Sequence, residues 1–135
     1  MAKVLKLNHV AIAVEDIQAA LGFWEQALGI PLDHIEEVPS QQAKVAFLPV
    51  AGSELELVQP TSEETGTAKF LKERGGGMHH LCLEVDDIEG MLARLKEAGV
   101  RLINEAPLEL EGRRMAFIHP KSTGGVLVEL YEITR

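Results

Sequence analysis

The pattern of apolar and polar positions along this chain occurs twice. His9 to Val14 alternates over strand length, and His80 to Val85 does the same. Each run opens on a histidine and passes through Val, an acid, Asp and Ile (Val14 to Ile17, Val85 to Ile88) into helical spacing. Apolar residues then recur at Ile17, Leu21, Trp24 and Leu28 in one copy, and at Ile88, Met91, Leu92 and Leu95 in the other. The spacing predicts helices over about residues 17–27 and 88–98, with Phe23 and Trp24 packing the first. Asp16 and Asp87 are the predicted N-caps, because a short carboxylate accepts the free N–H groups of a first turn. Gly29 and Gly99 are the predicted C-caps.

The copies continue to match beyond the helices. Val45 to Leu48 pairs with Met115 to Ile118, and Glu54 to Leu57 with Leu127 to Leu130, all as strands. Turn residues separate them at Ala51-Gly52-Ser53 and over residues 119–125. A linking strand is expected near residues 32–37 in the first copy and 101–104 in the second. Each half therefore reads β-α-β-β-β, over about residues 5–60 and 77–133. A linker at about 61–76, with a short helix near 67–72, joins them, and Gly75, Gly76 and Gly77 close it. Neither half has enough apolar residues for its own core. The expectation is one α+β domain, two pseudo-twofold-related βαβββ modules forming a curled mixed sheet around a metal site.

The metal enters because of what repeats. The metal-capable residues at matched positions are His9 with His80 and Glu56 with Glu129. Leu55 and Leu57 share one strand face, so Glu56 projects from the other, and Val128 and Leu130 frame Glu129 in the same way. A carboxylate in so apolar a strand is costly to bury unless it is paired or metal-bound. Two imidazoles and two carboxylates suit a borderline or hard divalent ion such as Co²⁺, Mn²⁺, Ni²⁺, Fe²⁺ or Zn²⁺. Alignment and alternation choose His80 over His79. His34 and His119 fall in loop-like contexts without repeat partners, and His119 is expected to stabilise the turn before Pro120. Cys82 is assigned to the core, facing away from the metal.

Composition narrows the classes. Lys and Arg total 13 against 21 Asp and Glu, which speaks against a nucleic-acid groove. Cys82 is the single cysteine, so no intrachain disulfide forms and a reducing cytoplasm is the expected setting. Met1 to Lys6 leads straight into strand-like sequence, with no apolar run suited to a leader or a membrane span.

At Asn8 to Val14, Gly77 to Ile88 and Phe117 to Leu130 the chain resembles the vicinal oxygen chelate superfamily, which includes glyoxalase I, extradiol dioxygenases and fosfomycin-resistance proteins. Within it the resemblance is to the branch that epimerises methylmalonyl-CoA, and it runs from Leu7 to Glu132. It implies a homodimeric isomerase of propionate metabolism, with a coenzyme A thioester as substrate. Such an enzyme interconverts (2R)- and (2S)-methylmalonyl-CoA by metal-assisted proton abstraction and return at C2, through an enolate. Carried over residue by residue, the ligands are His9, Glu56, His80 and Glu129, and Glu129 is one acid/base group. The chain departs from the branch at Val45, where some members carry a second glutamate. Lys44 is adjacent but alternation turns it the other way, and Gln41 can position a carboxylate but cannot act as a base. Glu56 takes the second role by symmetry, with a metal-bound water as the other candidate. Lys121 and Ser122, in the loop before the Glu129 strand, are expected to contact the substrate, as is Gln41. The alternatives are a glyoxalase I-like isomerase, an extradiol dioxygenase using His9, His80 and Glu129 alone, or a non-catalytic small-molecule binder on the same scaffold.

Overall fold

In the computed structural model, which describes residues 1–134, the chain forms two compact units. One is His9–His79; the other joins Met1–Asn8 to the chain from His80 onward. The first unit contains the end of β1 (Val4–Ala13), α1 (Ile17–Leu21), β2 (His34–Val38), β3 (Ala43–Val50), β4 (Ser53–Pro60) and α2 (Gly66–Arg74). From His80 the second holds most of β5 (Gly77–Val85), then α3 (Ile88–Glu97), β6 (Leu108–Leu110), β7 (Arg113–Ile118) and β8 (Leu127–Ile133). Among the described residues no helix is long and apolar enough to cross a membrane.

The two units share one wiring. In the first, the strands lie in the order β2-β3-β4-β1, antiparallel except for the parallel β4–β1 pair. In the second, β6-β7-β8-β5 repeats that order, with β8 and β5 parallel. Each sheet is therefore mixed and each half is β-α-β-β-β, as the repeat predicts.

Register assigns the faces. Ile12, Leu55, Leu57, Ala46 and Leu48 share the face that packs against Ile17 and Leu21 of α1. Leu83, Leu130, Ala116 and Ile118 do the same for Ile88, Met91 and Leu92 of α3. Burying a Leu or Ile side chain contributes about 1.5–3 kcal/mol, so these layers carry most of each unit's stability. The opposite faces are left for chemistry.

Both helices begin as expected. The Asp16 side chain accepts from Gln18 N and the Asp87 side chain from Gly90 N. A second device, which neighbouring residues do not reveal, docks each helix onto its last strand. Ile17 N donates to Gln59 Oε1 at 2.9 Å, and Ile88 N donates to Glu132 Oε1 at 2.7 Å. Gly29 and Gly99 take the left-handed conformation (φ +87° and +81°), which glycine adopts without a Cβ clash.

Three expectations need correction. The first helix is α-helical only to Leu21, and Gly22–Ala27 continues as a wider π-helical turn. A wider turn advances each residue by a smaller angle, so Leu28 and Phe23 swing out and are more than half exposed, while Trp24 stays against the core. The linking strand expected at 101–104 lies instead at Leu108–Leu110, and Leu102 keeps only an isolated bridge to Ile118. Asn104 Oδ1 accepts from Phe117 N, which replaces a strand partner with a side chain, and Pro107 has no N–H to continue the ladder. The linking strand expected at 32–37 is β2, and His34, read as loop-like, opens that strand.

Candidate metal and acid/base site

The face opposite α1 carries His9 from β1 and Glu56 from β4. In the parallel ladder Ala11 stands opposite Glu56 and Glu54 opposite His9, so His9 and Glu56 meet on a diagonal. His9 Nδ1 lies 3.4 Å from Glu56 Oε2, and the two side chains are only 2% and 16% exposed. In the second unit Cys82 stands opposite Glu129, and His80 and Glu129 meet on the same diagonal. His80 Nε2 lies 3.2 Å from Glu129 Oε1, with exposures of 14% and 6%. The repeat in sequence is thus a repeat in geometry, down to the register step that brings each pair together.

Each pair suits adjacent ligands of one cation. Metal–nitrogen and metal–oxygen bonds of about 2.1 Å, near a right angle or slightly wider, place their donors roughly 3.0–3.4 Å apart. The donor set of imidazole and carboxylate is that of a borderline to hard divalent ion. Burial of the carboxylates, inside strands with apolar neighbours, is the cost that such an ion or a protonated partner removes.

A phenylalanine flanks each glutamate. Phe47 stands opposite Glu56 on β3, and Phe117 opposite Glu129 on β7. The Phe117 ring meets His80 edge-on, centroids 5.9 Å apart, and so fixes the imidazole's orientation. Phe47 instead stacks on His34 at 4.6 Å, and His34 Nδ1 lies 2.6 Å from Asp33 Oδ2. His79, the rejected neighbour of His80, turns to Phe70 of α2.

Cys82 does not face away from this chemistry. It is two residues from His80 on one strand, and period-two alternation gives both the same face. Its Sγ and a Glu129 carboxylate oxygen lie within 4.8 Å. Val45 is buried on the same face as Phe47 and Glu56, whereas Lys44, opposite Gln59, belongs to the other face, as alternation predicts.

The polar candidates lie toward the strand ends. Gln41 is exposed in the 3₁₀ turn Pro39–Gln41 between β2 and β3, before the β3–β4 register begins at Ala43. Lys121 and Ser122 are exposed in the turn Pro120–Ser122, and the Ser122 hydroxyl accepts from Arg101 N at 2.8 Å. His119 caps that turn, its Nδ1 accepting from Lys121 N at 3.0 Å, which is the turn-stabilising role expected of it. Desolvation, followed by the charges of Arg101 and Lys121, holds the His119 pKa below the usual histidine value.

Comparison with known proteins covers nearly the whole chain. Residues 8–117 match the glyoxalase/bleomycin resistance protein/dioxygenase superfamily. The mitochondrial methylmalonyl-CoA epimerase of Mus musculus is 38% identical over 130 residues, spanning 95% of this chain and 73% of that protein. The ethylmalonyl-CoA/methylmalonyl-CoA epimerase of Cereibacter sphaeroides is 39% identical over 131 residues, 95% of this chain and 98% of that one. The crystal structure of methylmalonyl-CoA epimerase from Mycobacterium tuberculosis superimposes with a TM-score of 0.85 at 38% identity, covering 98% of this chain and 90% of that one.

Proposed function

This chain belongs to the glyoxalase/bleomycin resistance protein/dioxygenase superfamily, and within it we propose that it is an isomerase interconverting (2R)- and (2S)-methylmalonyl-CoA. The observation that carries the reading is the pair of buried His–Glu diagonals, His9 with Glu56 and His80 with Glu129, in a chain whose similar proteins include methylmalonyl-CoA epimerases.

On this reading His9, Glu56, His80 and Glu129 hold one divalent ion, Co²⁺ or Mn²⁺ before the others. Such an ion, when bound, supplies positive charge for the substrate's thioester oxygen and so lowers the barrier to ionising the adjacent C–H. Glu129 takes the C2 proton from one face, the C–H electron pair moves into the thioester as an enolate, and a proton returns to C2 from Glu56 on the other face. Val45 is apolar and cannot take Glu56's place. Gln41, Lys121 and Ser122 serve as polar contacts for the thioester's carboxylate or its coenzyme A moiety. The remaining parts of the reading are a homodimer and a cytoplasmic setting. The fourth donor, Glu56, favours this chemistry over a ring-cleaving dioxygenase, which needs only three protein ligands and open positions for O₂.

The test is C2 hydrogen–deuterium exchange of methylmalonyl-CoA in D₂O, with metal-reconstituted and chelator-treated protein side by side. Exchange with inversion that disappears on chelation is the expected result. No exchange by protein loaded with Co²⁺ or Mn²⁺ would sink the substrate assignment.

A further inference from the structure

We propose that Arg113 is an anion-binding residue of the substrate site and grips a carboxylate or phosphate oxygen of the acyl-CoA; this rests on the function proposed above. β7 carries two consecutive arginines, which alternation sends to opposite faces. Arg114 lies on the helix side and is amply paired. Its Nε is 2.7 Å from Glu109, and its Nη1 is 3.4 Å from Glu89 and 3.8 Å from Glu132.

Arg113 lies on the face that carries Glu129. The register places Phe117 opposite Glu129, Met115 opposite Tyr131 and Arg113 opposite Ile133, so all of these side chains share one surface. The guanidinium stands over the Tyr131 ring, 5.0 Å from its centroid. Arg113 Nε is buried and has no hydrogen-bond partner. No ion pair reaches Arg113 among the described residues, in a chain with 21 acidic residues.

The fold does not require an arginine here. The first half has Ala43 at the matching step from Phe47, and Val58 where the second half has Tyr131. A buried guanidinium edge without an acceptor is costly, and a planar N–H fork is shaped for carboxylate or phosphate oxygens. The aromatic ring beneath it holds the plane of the fork while leaving its edge for an incoming anion. Tyr131 is two residues, about 7 Å of strand, from Glu129, so the fork is within a ligand's length of the proposed acid/base group. Methylmalonyl-CoA carries both kinds of anion.

Two variants, Arg113→Gln and Arg113→Lys, are compared with wild type on methylmalonyl-CoA and on methylmalonyl-pantetheine, which keeps the acyl group but lacks the phosphates. A KM raised about tenfold or more for Arg113→Gln, partly recovered in Arg113→Lys, is expected. Loss on both substrates assigns the carboxylate, and loss on the CoA thioester alone assigns a phosphate. Calorimetric binding of coenzyme A and of free methylmalonate to wild type and Arg113→Gln gives a readout independent of turnover. The Arg113→Gln variant is expected to unfold no earlier than wild type. Unchanged KM, kcat and binding, or a lowered melting temperature with unchanged KM, overturns the assignment. If wild type binds these probes through Arg113 but does not exchange the C2 proton, the epimerase reading fails and the anion site stands. If wild type epimerises and Arg113→Gln equals it, only the anion site fails.

Discussion

The two halves of this protein are built on one plan and differ in the residues that surround their matched His–Glu pairs. Both place a histidine and a glutamate on the same diagonal, with a phenylalanine opposite the glutamate. Yet His9 presents Nδ1 to Glu56 while His80 presents Nε2 to Glu129. Phe117 braces the histidine ligand candidate, whereas Phe47 stacks on His34. Ala11 stands opposite Glu56 where Cys82 stands opposite Glu129, and Ala43 and Val58 answer to Arg113 and Tyr131. On the proposed function, the repeat supplies a paired donor set, and the differing residues around it give the two glutamates different tasks.

The sharpest test of that division is to neutralise each glutamate in turn. Glu129→Gln and Glu56→Gln keep an oxygen donor but lose the carboxylate. Each is expected to slow epimerisation by about 100- to 10,000-fold. Each should also keep C2 exchange for one epimer only, the opposite one in the two variants. Deuterium incorporation into each separate epimer, read by mass spectrometry beside a metal assay, checks this. Identical residual exchange patterns would mean that the two glutamates do not serve opposite faces.

A smaller effect separates the helix docks. Glu132→Ala removes a charged acceptor from the first turn of α3, and Gln59→Ala removes a neutral one from α1. Losing such a cap costs about 1–2 kcal/mol, and the carboxylate gains more from the helix N-terminus than an amide does. Urea unfolding should therefore show the larger loss for Glu132→Ala; equal losses would show that the charge contributes nothing.

The smallest effect concerns pH. His119 accepts from Lys121 N and its pKa is lowered on folding, so the folded protein favours the neutral imidazole. Folding stability from this group is present above the unfolded value of about 6.5 and declines as pH falls through that value toward the lower folded one. Stability profiles of wild type and His119→Gln between pH 5 and 8 should converge as the pH falls. Parallel profiles would contradict the coupling.

How much of this could be read from the chain follows from how local each signal is. The βαβββ repeat, the Asp16 and Asp87 caps and the pairing of His9 with Glu56 and His80 with Glu129 were legible because each half repeats the other's residues in the same order. The Gln59 and Glu132 docks span 42 and 44 residues, and no periodicity announces them. The π-helical turn at Gly22–Ala27 leaves the apolar spacing of Leu21, Trp24 and Leu28 intact in sequence while rotating Leu28 away in space. Cys82 was legible in principle, since two residues along a strand from His80 means the same face. Arg113 was not, because only the register of β7 on β8 and the fate of Arg114's neighbours distinguish the two arginines.

The proposal that both His–Glu pairs serve a single ion is tested most directly by titrating Co²⁺ into chelator-treated protein and following heat and absorbance. The expected result is one ion per chain, with His9→Ala and His80→Ala each abolishing tight binding. Two ions per chain, or tight binding that survives loss of either histidine, would contradict it.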